Sequence, residues 1–150
     1  MSDETTTGRQ AVMATLAQAP AALLAEKWEG LADRPGFSWL REPDVGLVMV
    51  RGRTGGGGAP FNLGEVTVTR CALQLDGGQA GFAWVMGRDR DKARHAALFD
   101  ALWQDEARRD EIERDVVTPA REALEAEDAR KDEETAATKV DFFTLVRGED

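Results

Sequence analysis

The stretch "EVTVTRCALQLDGGQAGFAWVM", Glu65 to Met86, decides the fold. Its first half alternates as a strand does. Val66, Val68, Arg70 and Ala72 share one side, and Glu65, Thr67, Thr69, Cys71, Leu73 and Leu75 the other. The apolar side changes near Arg70, which points to a bulge or to burial on both faces. "DGG" at 76–78 is a strong hairpin turn. "AGFAWVM" at 80–86 then returns, with Phe82, Trp84 and Met86 on one face.

Working outward, the strand is preceded by the glycine run Gly55–Gly58. Before that lies "LVMVRGR" at 47–53, rich in β-branched residues and bounded by glycines. "DVG" at 44–46 reads as a turn and "FSWLRE" at 37–42 as a further short strand. The unit is a four-stranded antiparallel meander.

Helices flank it. "RQAVMATLAQA" spaces Val12, Met13, Leu16 and Ala17 helically, with Thr6 or Thr7 as a cap, and Pro20 ends it. "PAALLAEKWEGL" makes a second helix, closed by Gly30 and "DRPG". From Asp89 the pattern is helical again, with Leu98, Leu102, Asp105, Ile112 and Val116 near one stripe. Pro119 interrupts, Thr118 caps a new helix, and a charged segment with a thin apolar seam follows. The closing "VDFFTLVRGED" carries two phenylalanines and three aliphatics, more than a disordered end has use for. The expected fold is therefore α+β: two N-terminal helices, a four-stranded antiparallel sheet and long C-terminal helices. Residues 1–139 form one domain and residues 140–150 a docking tail.

The chain has 150 residues and a net charge of −9, which disfavours nonspecific binding to nucleic acid or to an anionic membrane. No apolar run is long enough to span a bilayer. The polar, acidic "MSDETTTGRQ" lacks the form of a secretory signal, so a cytoplasmic location is expected. One cysteine, Cys71, and one histidine, His95, exclude an internal disulfide and a Cys/His zinc site within the chain. Carboxylates remain available to Mg²⁺.

The glycine run admits two readings. Its amides can form an anion nest, flanked by Arg51, Arg53 and Arg70, or it is a slack hairpin loop. It lacks the Lys-Ser/Thr ending and the helix of a phosphate loop, and a strand follows instead. Glu65, Thr67 and Thr69 present a carboxylate and two hydroxyls from one side of a strand. They suit Mg²⁺ or base chemistry, or simply a solvated sheet face. Arg88 precedes Asp89, which fits a helix N-cap. His95 and Cys71 read as structural.

"GAPFNLGEVTVTRCALQL", "GFAWVMGRD" with "ALFDALWQ", and above all "VDFFTLVRGED" resemble the PhnG family of the bacterial carbon–phosphorus lyase system. The likeness covers nearly the whole chain. It implies a subunit of a core complex with PhnI, PhnH and PhnJ, working with PhnL. That assembly transfers the ribose triphosphate moiety of MgATP to an alkylphosphonate with release of adenine. The product is α-D-ribose 1-methylphosphonate 5-triphosphate. The later carbon–phosphorus cleavage uses an iron–sulfur cluster, for which one cysteine is too few. Within this frame Glu65 and Arg70 are the candidate catalytic residues. Arg51, Arg53, Gly56, Gly57, Asn62, Thr67 and Arg88 are candidates for phosphate or substrate binding. Asp141, Phe142, Phe143 and Arg147 are candidates for partner binding, and no metal ligand is assigned. The competing reading is a non-catalytic assembly subunit that positions PhnI and PhnH.

Overall fold

A computed structural model describes residues 2–53, 55 and 57–147, without the side chains of residues 2, 62 and 139–147. Helices α1 (Ser2–Gln18) and α2 (Ala21–Glu29) lead into strands β1 (Phe37–Arg53), β2 (Pro60–Leu75) and β3 (Ala80–Met86). Helix α3 (Arg90–Gln104) and the short α4 (Arg109–Ile112) follow. A π-helical turn, Glu113–Val117, then leads into α5 (Thr118–Arg147). The α+β class is as expected.

The strands form an antiparallel sheet in the order β1-β2-β3. All four expected strand segments are present, but 37–42 and 47–53 are joined into one continuous β1. The "DVG" turn does not form. β1 is an edge strand, where Pro43 removes no needed donor. The chain absorbs its irregularity as register slips between Trp39 and Arg41 and between Arg41 and Asp44. β2 runs straight through Arg70, so the slips lie on its neighbour, and Val68 and Ala72 are buried on its second face.

The β2–β3 turn forms as read. Gly78 N–H donates to the Leu75 carbonyl at 2.8 Å, and Gly78 takes φ 102°, which suits a residue without Cβ. The pairs Thr69–Val85, Cys71–Ala83 and Leu73–Gly81 face the helices. There α3 lies directly on β3 and β2, with α1 and α2 packed against α3. Four of the ten buried residues of α3 are alanines, and Ala97 and Ala101 lie against Gly81 of β3, so helix and sheet approach closely. Val12, Leu16, Leu24, Leu73, Leu98, Phe99, Leu102 and Ile112 fill the rest of the core.

Three local expectations change. Thr6 and Thr7 lie inside α1, and the Thr7 hydroxyl donates to the Asp3 carbonyl one turn back. Thr118 is helical rather than a cap. Its N–H reaches the Glu113 carbonyl five residues back, and this widened turn lets the helix pass Pro119. The charged segment after Pro119 is one helix of 30 residues, roughly 45 Å long at 1.5 Å per residue.

His95 is buried against Trp28, ring centroids 6.3 Å apart. Burial is the main cause that lowers its pKa, and Arg94 adds to it. Asp91, Glu29 and Asp89 oppose the shift. The folded state therefore favours the neutral ring. That contribution is complete above the unfolded value of about 6.5 and is lost as pH falls through the lower folded value. Urea midpoints of the wild type should decline from pH 7.5 to pH 5. Part of the decline should vanish in His95→Gln.

Candidate functional site

β3 pairs only with residues Val68 to Gln74 of β2. Beyond that point β1 and β2 continue alone as a two-stranded arm, from the pair Leu47–Thr67 to the pair Arg53–Pro60. Seven β1 residues make the arm roughly 20 Å long at about 3.3 Å each. The glycine run falls between its two strands, at the tip of the arm.

Strand alternation sorts the candidates. Leu47, Met49, Arg51 and Arg53 follow one another on one face of β1. Thr67 and Glu65, opposite Leu47 and Met49, share that face. Val48, Val50, Val66 and Phe61 occupy the other face. Leu63 joins them, because it is the extra β2 residue at the slip between Val50 and Arg51 and its side chain lies over Gly52. Leu47 and Leu63 are 65% and 62% exposed, and Met49 and Phe61 are also exposed.

Arg70 is separated from Glu65. The register is unbroken between them, so the five-residue offset puts their side chains on opposite faces. Arg70 lies on the open face of the sheet. There its Nε donates to the Asp44 carboxylate at 3.2 Å, and its guanidinium stands 5.7 Å from the Trp84 ring centroid. Arg41 also reaches Asp44, at 3.4 Å. The hydrogen bond from Arg70, with Arg41 beside it, lowers the Asp44 pKa. Around this cluster Phe82, Trp84 and Met86 are exposed on β3, Met86 at 72%.

The remaining candidates are spread out. The Thr67 carbonyl accepts the Gly87 N–H at 2.8 Å, which brings the start of the β3–α3 turn, and so Arg88, next to the base of the arm. Asp89 caps α3 by accepting from Lys92 N–H at 2.9 Å. Arg51 and Arg53 stand toward the tip, away from Arg88 at the base. Gly57 is exposed in the loop, with open space where a Cβ would lie. Gly56 lies outside the described residues, as do the side chains of Asn62, Asp141, Phe142, Phe143 and Arg147. Cys71 is buried, and burial pushes its thiol up to about 11, consistent with a structural role. Among the described residues no three His, Cys, Asp or Glu side chains gather to hold a metal ion.

Sequence reasoning missed Asp44, taken for a turn residue, and the stacking of Trp84 on Arg70. The alternation Phe82-Trp84-Met86 on a single strand was the available signal. It marked an apolar face with no helix assigned to it.

The family model described as "Phosphonate metabolism protein PhnG" matches residues 7–148. The chain is also similar to a protein of Rhizobium meliloti (strain 1021) named "Alpha-D-ribose 1-methylphosphonate 5-triphosphate synthase subunit PhnG". The two are 49% identical over 142 residues, which cover 95% of this chain and 90% of the relative.

Proposed function

Because the chain belongs to the PhnG family of phosphonate metabolism proteins, we propose that it acts as a subunit of α-D-ribose 1-methylphosphonate 5-triphosphate synthase, the assembly for which its relative is named. The carrying observation is the extent of the likeness, which runs through every element from α1 to α5. In the proposed transfer a phosphonate oxygen attacks C1′ of the ribose of MgATP. The bond from C1′ to the adenine nitrogen breaks, adenine takes up a proton and leaves, and the triphosphate stays on C5′. The chain is a component of this transferase and is inactive alone. Its partners are PhnI, PhnH and PhnJ, with PhnL acting alongside, and the work is done in the cytoplasm. The segment from residue 140 onward, with Asp141, Phe142, Phe143 and Arg147, grips one of these neighbours.

Glu65 is the exposed carboxylate of the arm and the better placed of the two catalytic candidates. A carboxylate beside C1′ stabilises the positive charge that develops there as adenine departs. Mg²⁺ would arrive with the triphosphate, and among the described residues the chain offers it single carboxylates such as Glu65 rather than a cluster. In the assembled synthase, Glu65→Gln should lower kcat for adenine release by on the order of a hundredfold, with assembly intact. An unchanged kcat favours the assembly-subunit reading. The pairing of Arg70 with Asp44, on the face away from Glu65, already supports that reading for Arg70. Arg70→Ala should then weaken assembly more than turnover.

A further inference from the structure

We propose that the β1–β2 arm inserts between two walls of another synthase subunit and delivers Arg51 and Arg53 to the triphosphate held there. The inference rests on the subunit reading above and specifies how the chain would act within it. Three features of the arm carry it.

First, the arm exposes large apolar side chains on both faces, beside the charged groups on one of them. Leu47 and Met49 are exposed on one side, Phe61 and Leu63 on the other. A strand ribbon that packs on its own domain hides one face and wets the other. Apolar side chains on both faces call for cover on both, which a cleft provides and a flat surface does not.

Second, a two-stranded ribbon is marginal in water without a third strand or a packed face. This one extends past the end of β3, beyond the cover of its own third strand. It is shaped to be completed by a neighbour.

Third, the charges are sorted along its length. Between residues 47 and 67 the charged residues are Arg51, Arg53 and Glu65, in a chain whose net charge is −9. Both arginines lie in the outer part of the arm, and Glu65 sits opposite Met49, nearer the base. They share one face, so they approach the same side of a ligand. An acidic protein that places two arginines at the end of an apolar arm is complementary to an anion at the bottom of an apolar cleft. The triphosphate of the proposed substrate is such an anion, and guanidinium groups suit phosphate oxygens. The partner is thus a subunit with an apolar-walled cleft that ends at a nucleoside triphosphate.

The test uses the reconstituted synthase with MgATP and methylphosphonate. Met49→Asp and Leu63→Asp each place a charge on one arm face. Both positions are exposed, so the isolated chain should keep its thermal midpoint. Each variant should fail to co-elute with the other subunits. Arg51→Ala/Arg53→Ala should assemble normally but raise KM for MgATP at least tenfold, and Arg51→Lys/Arg53→Lys should recover part of the loss. Normal co-elution of either aspartate variant, or an unchanged KM in the double alanine variant, overturns the proposal. So does a wild-type chain that self-associates when isolated and becomes monomeric in the aspartate variants, because the arm then docks on a second copy. A control without the chain separates the two levels. Full adenine release in its absence defeats the subunit reading itself, whereas dependence on the chain with indifference to the arm variants defeats only the insertion.

Discussion

Gly81→Ala should destabilise the protein by about 3 kcal/mol or more, a drop of roughly 6–12 °C in Tm for a domain of this size. A Cβ on Gly81 would overlap the Ala97 carbonyl oxygen and lie 2.9 Å from the Ala101 Cβ. The obstacle is helix backbone, which cannot swing aside as a long side chain would. To admit one methyl group α3 must lift from β3, and the alanine-lined contact that buries Ala93, Ala96 and Phe99 opens with it. Gly57→Ala is the matched control. Nothing lies within 4 Å of a Cβ there, so its unfolding midpoint should match the wild type. Equal midpoints for Gly81→Ala and wild type would show that α3 does not ride this closely on the sheet.

Asp100→Ala should cost about 3 kcal/mol, the lower end for removing one partner from a buried ion pair, because the Arg9 side chain is partly solvated. The Asp100 side chain is 1% exposed. It accepts from Arg9 Nε at 3.0 Å, from Arg9 Nη2 at 2.9 Å and from the Phe82 backbone N–H at 3.0 Å. One carboxylate on α3 thus ties α1 to β3. The Arg9 guanidinium also stands 5.8 Å from the Phe82 ring centroid. The hydrogen bonds to Asp100 raise the Arg9 pKa. The arginine also stays charged when its partner is deleted, because a guanidinium keeps its proton at any working pH. The alanine variant leaves that charge and the Phe82 N–H without their acceptor. Replacing both members, as in Arg9→Met/Asp100→Leu, should recover much of the loss, because no half-buried charge remains. Denaturant unfolding of the two variants checks both statements. A mild Asp100→Ala phenotype would mean that water satisfies the site.

Much of this fold was legible because its signals are local. The "DGG" turn places Gly78 where a positive φ is needed, and the alternation on either side sets the β2–β3 pairing. Asp89 reads as a cap and is one. What escaped depended on distant partners. Pro43 and Gly46 look like turn residues, yet an edge strand tolerates both, so β1 runs on. Pro119 looks like a helix break, yet a widened turn before it keeps the helix going. The candidate site divides in the same way. That Glu65 and Arg70 point apart follows from counting along one strand. That Arg70 meets Asp44 depends on the register with a residue 26 positions earlier, beyond an irregular stretch of β1. The arm was visible as two strands and a glycine loop. Its projection past the sheet became evident only once β3 was seen to end opposite Val68.

On the proposed reading, this polypeptide completes a multi-subunit transferase rather than working by itself. Adenine release from MgATP and methylphosphonate measures it most directly, with the remaining synthase subunits held constant and this chain titrated in. The rate should be negligible without the chain, rise to saturation as it is added, and be absent with the chain alone. A full rate before any is added, or turnover by the isolated chain, would contradict it.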